Sequence, residues 1–328
     1  MKKLSLGLII LLFSLLLLNV ACQPKTETAE ASKPNTLTAI PIDEAELDAA
    51  ATFWSSAPRL TVSTVGQSEE EENGPDLTLQ AVYDDQYIVI RAEWADATES
   101  LMKNAWTWDG TQFVKSGNED RLMFMFPMDN NAEFASKGCA SACHNQADDE
   151  ATWYMGTEGE ALHLDQWHWK SARTHPYDQA DDKWMGPQTD PTDVESAHHG
   201  DDKESGGEVQ NINEEGTGPL WMHGADLEAL FIFAGEEVPI STSSLEPGTV
   251  IPGYIVAPMV GSRGDISAIG FWENGRWVVV MMRALDTGHD DDVVFVPPRP
   301  VPFGVSLMDD GGGLDHTNAP DVITLEWD

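Results

Sequence analysis

Two cysteines and a histidine form the pattern with the clearest chemical meaning in this sequence. Three residues separate Cys139 from Cys143, and His144 follows the second cysteine directly. Each thiol of such a pair can add to one vinyl group of a haem, and the adjacent imidazole can then ligate the iron. The spacing is one residue longer than in the common attachment motif. It predicts one covalently bound haem c, with His144 as the proximal ligand of the haem iron.

The same cysteine pair has two alternative uses. In an oxidising compartment, Cys139 and Cys143 could form a disulfide across a short loop. They could also take part in a zinc site, but structural zinc usually has four ligands drawn from two paired motifs. The third and last cysteine in the sequence is Cys22, which is far away along the chain. The cysteine count therefore favours haem attachment over both alternatives.

The N-terminus has the composition of an export signal. A basic dipeptide precedes an almost wholly apolar run over residues 4–18, which is shorter than the ~20 residues of a membrane span and typical of a secretory signal. Cys22 follows a small residue just after this run, as in the cleavage site of bacterial lipoproteins. We therefore predict a signal peptide over residues 1–21 and lipidation of Cys22; an ordinary signal with an incidental cysteine is the alternative. Gln23, in place of Asp, favours sorting to the outer membrane.

The rest of the chain divides into a tether and one domain. Residues 22–45 are mostly polar or small, a composition with little to bury, which predicts a flexible tether. Residues 46–328 are long enough for a substantial core and are predicted to form the domain. Within it, residues 186–219 are rich in Gly, Asp and Glu and are predicted to form an acidic polar loop. We expect His198 and His199 in this loop to be solvated, with metal or haem ligation as the less favoured alternative.

The charge balance limits the partners. The chain has 18 basic and 56 acidic residues, a formal net charge of −38 at pH 7. Nucleic acid is excluded as a partner because binding to a phosphate backbone requires basic surfaces. A strongly acidic surface keeps a protein soluble in saline surroundings and can also dock basic proteins. We expect redox partner proteins to present basic docking surfaces, and the lipid to hold the chain on a membrane.

Short alternating or β-branched runs recur along the domain and predict an all-β fold. Asn274-Gly275 between two of these runs is a strong hairpin signal. Many short strands separated by turns indicate a sandwich or barrel. Two segments, residues 132–138 and 226–233, are predicted as short helices. The runs predicted as strands are residues 60–65, 77–82, 87–94, 121–126, 254–259, 266–272, 277–283, 293–296, 301–307 and 322–327.

A further set of motifs is spread over the domain. The motifs are DRLMFMFP at 120–127, GC at 138–139, CH at 143–144, MG at 155–156, LDQWHWK at 164–170, ADD at 180–182 and WVVVMMRAL at 277–285. This set resembles the haem-binding domain family related to the gamma subunit of ethylbenzene dehydrogenase and of similar enzymes in the dimethyl sulfoxide reductase group. The resemblance implies an immunoglobulin-like or DOMON-like β-sandwich with long loops and few short helices. It also implies one haem and a role in electron transfer.

The resemblance bears on the second axial ligand of the haem iron. The founding members of the family hold a non-covalent haem through a methionine and a lysine. Met155 resembles the methionine position, and Arg283 lies in the late strand comparable to that of the lysine. His168 is the other candidate, because strand alternation points it away from its neighbours Trp167 and Trp169. Met155, His168 and an open site all remain possible, and the two tryptophans are predicted to wall the haem.

These features together predict a monohaem c-type cytochrome that carries electrons outside the inner membrane. It is expected to be exported and lipid-anchored, on the periplasmic or surface side of the outer membrane, and to act alone or within a molybdenum-type oxidoreductase. An electron carrier is favoured over an enzyme, because no nucleophile triad or paired-carboxylate motif stands out. The alternative is a non-haem β-sandwich lipoprotein with a Cys139–Cys143 disulfide that binds a ligand such as carbohydrate. Exposed Trp106 and Trp108 could then stack on sugars.

Overall fold

The computed structural model describes residues 35–66, 72–128, 132–138, 156–157, 163–190, 192, 196–200, 206–312 and 315–328. All of them belong to one compact unit, Pro34–Asp328. Among these residues, no helix has both the length and the apolar composition needed to cross a membrane.

Nearly all of the described secondary structure is β-strand. The first strands are β1 (Thr36–Pro41), β2 (Leu60–Val62), β3 (Leu77–Tyr83), β4 (Tyr87–Ala95), β5 (Ala105–Trp108), β6 (Phe113–Ser116) and β7 (Glu119–Pro127). They are followed by helix α1 (Ala132–Lys137) and by β8 (Leu164–Lys170), β9 (Gln179–Met185), β10 (His198–Gly200), β11 (Gly207–Gln210) and β12 (Trp221–His223). The last strands are β13 (Ile232–Phe233), β14 (Glu237–Pro239), β15 (Val250–Ile251), β16 (Tyr254–Ala257), β17 (Ile266–Trp272), β18 (Arg276–Ala284), β19 (Val301–Gly311), β20 (Thr317–Asn318) and β21 (Ile323–Trp327).

The longest strands form one continuous, mostly antiparallel sheet that closes on itself. Its order is β1-β21-β19-β7-β8-β9-β17-β18-β4-β3-β2, and β1 also pairs with β3. The strands therefore enclose a core as a sandwich whose two layers are joined at both edges. This confirms the predicted all-β sandwich class. Strands β10 and β20 extend the ring by pairing with β9 and β19.

The main core lies inside this ring and is rich in aromatic side chains. Phe124 and Phe126 on β7 alternate inwards, and the two rings lie 6.3 Å apart. The Trp277 ring lies 4.9 Å from that of Trp169 and 6.4 Å from that of Trp94. All five residues are buried. Removing apolar surface from water, at about 25 cal/mol per Å², is the main force that holds such layers together.

Two backbone features shape the ends of the strands. The β17–β18 hairpin turns at Asn274 and Gly275, whose φ angles are 54° and 74°, as a type I′ turn requires. This confirms the hairpin predicted from the sequence. In β19, the register against β7 shifts between Met308 and Gly311. The shift is a β-bulge, which turns the end of the strand and re-aims its side chains.

The predicted tether over residues 22–45 extends too far into the domain. Strand β1 lies within it and pairs in parallel with β21, Thr36 facing Thr324. Leu37 and Ala39 are completely buried. Successive side chains of a strand point to opposite faces of the sheet, so every second residue of this segment faces the core.

One helix prediction is confirmed and the other is wrong. Helix α1 occupies nearly the whole segment predicted as residues 132–138. Residues 226–233 contain no helix; the segment ends instead in β13, which pairs in parallel with β16. The long-range pairing of Ile232 with Ile255 decides the conformation there over local helical propensity. Residues 186–219, predicted as a polar loop, also contribute β10 and β11.

Candidate functional site

Strand β8 presents its side chains alternately to the core and to the opposite face of the sheet. Trp167 and Trp169 are fully buried in the main core. His168 lies between them and belongs to the other face, where its strand neighbours are Met123 on β7 and Asp181 on β9. This is the alternation predicted from the sequence. Trp167 and Trp169 therefore do not line the face that carries His168, contrary to their predicted role as walls of the same site.

Four side chains on that second face form what we call the histidine face: Met123, Gln166, His168 and His198. Gln166 connects two of the others, because its amide nitrogen donates to Met123 Sδ at 3.5 Å and its amide oxygen lies 3.0 Å from His198 Nδ1. His198 reaches this position because β10 pairs with β9, with His198 opposite Met185. The set therefore unites three strands, β7, β8 and β10, around one glutamine.

Each histidine of this face has a buried nitrogen to which the described residues offer no partner. Nε2 of His168 and Nε2 of His198 are buried and have no hydrogen-bond partner among the residues that the structure describes. The amide oxygen of Gln166 accepts a hydrogen bond, so Nδ1 of His198 carries the hydrogen and Nε2 has the lone pair. A buried lone pair without a donor nearby costs free energy unless something binds it. Iron in a haem is one group that imidazole nitrogens ligate.

Burial and nearby positive charges keep both imidazoles neutral. Burial is the largest cause that lowers the pKa of His168 well below its usual value, and Lys170 and Arg121 act in the same direction. Burial likewise lowers the pKa of His198 to about 3, with Lys183 adding to the effect. Neutral imidazole is the form that binds metal ions. The two rings are therefore in their ligating form at any pH near neutrality.

An ion-pair network adjoins the histidine face at Lys170, two residues after His168. Lys170 is buried, contacts Asp181 and lies 3.8 Å from Glu208. Arg263 binds the same two carboxylates at 2.7 and 2.8 Å. Burial acts to raise the pKa of Asp181, but the charges of Lys170 and Arg263 outweigh it and hold that pKa well below its usual value. The network fixes the end of β8, and burial lowers the pKa of Lys170 to about 7 although the charges of Asp181 and Glu208 act to raise it.

An apolar cluster also borders the histidine face and joins it to helix α1. Phe134 of α1 is fully buried and packs with Met123, Met125, Leu164 and Met185. Helix α1 is the last described element before the sequence reaches the cysteine pair. The chain is therefore brought against this cluster immediately before the predicted haem-attachment motif.

Most residues of the predicted haem site lie outside the described residues. These are Cys139, Cys143, His144 and Met155, and the predicted lipidation site Cys22 also lies outside them. Their roles stay predictions.

Arg283, which lies in the strand comparable to that of the family's ligating lysine, is held in the core by carboxylates. Its Nη1 lies 2.7 Å from Asp165 Oδ2, 3.1 Å from Asp182 Oδ2 and 3.6 Å from Asp292 Oδ1. The guanidinium also lies 4.7 Å from the centroid of the Trp167 ring. One positive charge faces three carboxyl groups, and burial raises the pKa of Asp165 to about 6. Arg283 balances buried acids and has no place on the histidine face.

Two expectations about surface residues are wrong. Trp106 is buried in a hydrophobic cluster separate from the main core, and Trp108 packs against the same cluster. The Nε1 of Trp106 donates to the carbonyl oxygen of Asn211 at 2.8 Å. Trp106 and Trp108 therefore do not form an exposed platform for sugars. The histidines of the polar loop are not freely solvated either. His198 belongs to the histidine face, and the ring of His199 stacks on that of Trp184 at 4.0 Å. The sequence favours a solvated His198 over a ligand, because its burial depends on strand pairing, which leaves no local signal.

The amino-acid sequence of the chain matches one known protein family. Residues 51–318 match the family described as ethylbenzene dehydrogenase. The chain belongs to this family. The match confirms the family relation inferred from the motifs, and it includes the histidine face and the whole segment between β7 and β8. Membership is consistent with a subunit related to electron transfer. No curated protein sequence matches the chain.

The solved structures that match the chain are distant from it in sequence. A protein from Bacteroides uniformis described as carbohydrate-binding shares 8% identity, with a TM-score of 0.39, over 90% of this chain and 99% of that one. A family 9 carbohydrate-binding module from Caldicellulosiruptor kristjanssonii, solved with glucose, shares 7% identity, with a TM-score of 0.34, over 89% of this chain and 95% of that one. Similarity at this level assigns no ligand to the chain.

Proposed function

We propose that this member of the ethylbenzene dehydrogenase family is a c-type monohaem cytochrome that carries electrons outside the inner membrane. It acts alone or as the electron-transfer subunit of a molybdenum-type oxidoreductase. The observation that carries the proposal is the buried Nε2 of His168, which has no partner among the described residues. It lies on the face that α1 borders just before the chain reaches the Cys139–His144 motif.

The residues of the chain fit a covalently bound haem. Cys139 and Cys143 would hold it through thioether bonds, and His144 would ligate the iron as the proximal ligand. We favour His168 over Met155 as the distal ligand, because burial keeps the His168 ring neutral and its Nε2 needs a partner. When bound, a haem supplies reversible one-electron chemistry.

The histidine face and its surroundings prepare the site for such a group. Gln166 orients His198, and the sulfur side chains of Met123 and Met125 are buried beside Phe134. An apolar lining excludes water and lowers the local dielectric constant, which strengthens the effect of every nearby charge on a redox group.

The export signal and the charge complete the proposal. The chain would be secreted, lipidated at Cys22 and held at the outer membrane. Its net charge of −38 suits electrostatic docking to redox proteins with basic surfaces, which accelerates encounter at low ionic strength.

Covalent haem is tested directly with a cysteine variant. The full-length protein is produced with a c-type haem maturation system, beside a Cys139→Ala/Cys143→Ala double variant. Denaturing gels stained for haem and pyridine haemochrome spectra are then compared. We expect haem to stay on the denatured wild type and to be lost from the variant.

A different result would replace the proposal. If the wild type carries no covalent haem and Cys139 and Cys143 are found as a disulfide, the chain is better explained as a β-sandwich lipoprotein that binds a ligand. The same preparation would then be screened for carbohydrate binding. The site would have to lie elsewhere than at Trp106, since that ring is buried.

A further inference from the structure

Three carboxyl groups, two from strands and one from the residue that follows a third strand, lie close together beside an open cleft. Asp96 follows β4, Asp120 lies on β7 and Asp309 lies on β19. One oxygen of each lies within 4.8 Å of the others. Asp96 and Asp309 also line a cleft of about 310 Å³. Two of the acids, Asp96 and Asp120, are buried, whereas Asp309 is exposed.

Asp96 points to a missing ligand. It is 4% exposed, and the backbone N–H of Thr98 donates to its Oδ1 at 3.0 Å. Its Oδ2 is buried and has no hydrogen-bond partner in the part of the chain that the structure describes. The backbone around it is fixed, because its N–H donates to Gly275 and its carbonyl oxygen accepts from Trp272 Nε1 at 3.1 Å. A carboxylate oxygen held rigidly in this way and left without a donor costs free energy unless a cation or a proton satisfies it.

Asp120 lies beside Asp96 and is fixed by three donors. Its Oδ2 accepts from Ser100 N–H at 2.8 Å and from Trp277 Nε1 at 3.0 Å, and its Oδ1 accepts from Asp310 N–H at 3.0 Å. A carboxylate has about four acceptor positions, so Oδ1 has one left. Burial raises the pKa of Asp120 to about 6, and the charge of Asp96 adds to the rise.

Asp309 brings the third carboxyl group over the other two. It lies in the bulged part of β19, where the register against β7 shifts between Met308 and Gly311. Bulges re-aim side chains and are common next to functional sites. The pKa of Asp309 is raised by burial first and then by the charges of Asp310 and Asp315. The charge of Asp309 also raises the pKa of Asp96, so the three acids repel one another in the absence of a counter-charge.

We propose that Asp96, Asp120 and Asp309 bind a divalent hard cation, with Ca²⁺ as the best match. Ca²⁺ takes six to eight oxygen ligands at about 2.3–2.6 Å in flexible geometry, and oxygens within 4.8 Å of one another can share it. Water from the open cleft completes the coordination. Mg²⁺ fits less well, because it demands a near-ideal octahedron at about 2.0–2.1 Å. The ion joins β4 to β7 and β19, and so ties the two layers of the sandwich together.

The test uses terbium, a luminescent substitute for Ca²⁺, on purified full-length protein that has been treated with a chelator. Trp277 Nε1 lies 3.0 Å from Asp120 Oδ2, so excitation of tryptophan should sensitise terbium emission. Ca²⁺ should displace terbium and Mg²⁺ should do so poorly. We expect an affinity for Ca²⁺ on the order of 10⁻⁴ M, as in extracellular modules. Saturating Ca²⁺ should raise the melting temperature by about 5 °C.

Two aspartates of the same cleft distinguish a site from general attraction of cations. Asp309 belongs to the triad, whereas Asp315 lines the cleft outside it, and both are exposed. Asp309→Asn should weaken Ca²⁺ binding at least about ten-fold by removing a ligand, and Asp315→Asn less than about three-fold by a screened charge effect. Asp96→Asn, which keeps an acceptor for Thr98, should abolish sensitised emission. Equal losses in both exposed variants, no sensitised emission in the wild type, or binding that survives Asp96→Asn would each overturn the proposal.

Discussion

Nδ1 of His198 lies 3.0 Å from Oε1 of Gln166, and this contact attaches a three-residue strand from a polar loop to the centre of the sheet. If the amide of Gln166 were turned round, its oxygen would face Met123 Sδ, and neither of these atoms can donate a hydrogen bond. The contact therefore sets the tautomer of His198 as well as its position. It also makes Gln166 the residue on which the geometry of the histidine face depends.

Replacing Gln166 with leucine tests this contact. Gln166→Leu leaves the Nδ1–H of His198 buried without an acceptor, and we expect the free energy of unfolding to fall by about 1–3 kcal/mol. Urea unfolding followed by tryptophan fluorescence measures the change. Gln112→Leu, at an exposed position, is the matched control and should stay within about 0.5 kcal/mol of the wild type. Equal losses in the two variants would contradict the role of the contact.

If the proposed function holds, ligand variants show which side chain is the distal ligand of the haem iron. In haem-loaded protein, His168→Ala should convert a six-coordinate, low-spin spectrum into a high-spin one, because the distal nitrogen is removed. His198→Ala should keep the low-spin spectrum. Haem-stained denaturing gels should show unchanged covalent attachment in both. A high-spin spectrum from His198→Ala alone would assign the distal place to His198, and no change in either would return it to Met155.

Arg283 should be among the most sensitive positions in the core. Arg283→Met leaves Asp165, Asp182 and Asp292 without their shared positive charge, and breaking a buried ion pair of this kind costs about 3–5 kcal/mol. Chemical denaturation measures the loss. Arg59→Met removes a surface pair with Glu93, in which the arginine side chain is 53% exposed, and should cost less than about 1 kcal/mol. A loss from Arg283→Met no larger than that control would mean that the buried acids are already neutral.

Asp165 predicts a pH dependence with a defined sign. Burial is the largest cause that raises its pKa from 3.8 to about 6, so the folded chain holds this proton more tightly than the unfolded chain. Its contribution to stability is fully present below pH 3.8 and is lost as the pH rises through about 6. Asp165→Asn should remove about 2–3 kcal/mol of that loss, because the amide stays neutral. The free energy of unfolding is measured at several pH values across this interval. Asp43→Asn, at an exposed position, is the control. The same pH dependence in the wild type and in Asp165→Asn would refute the assignment.

The parts of the fold that local sequence determines were predictable. The alternation of Trp167, His168 and Trp169 follows from the period of a strand, and Asn274-Gly275 supplies the positive φ angles of its hairpin. Strand β1 lies within the segment predicted as tether, because its pairing partners, Thr324 and the residues after it, lie at the other end of the chain. Long-range pairing of this kind leaves no mark in a local window.

The same reason explains what was missed in the candidate site. His198 lies among Gly, Asp and Glu, which indicate a solvated loop. It becomes buried because β10 pairs with β9 and places it opposite Met185. The orphan oxygen of Asp96 likewise depends on β19 and β7 meeting the end of β4. Both sites are products of topology, and the residue types in them are unremarkable in the sequence.

The position of β1 has a mechanical consequence for an anchored protein. A leash from Cys22 to Thr36 reaches at most roughly 50 Å when fully extended, so a lipidated chain would stay within that radius of the bilayer. Strand β1 has neighbours on both edges, β21 and β3, and both pairings are parallel. A pull on the leash loads these rows of hydrogen bonds lengthwise and all together, which resists force far better than opening them one by one. In a lipidated chain, the strand next to the anchor would therefore carry this load for the whole domain.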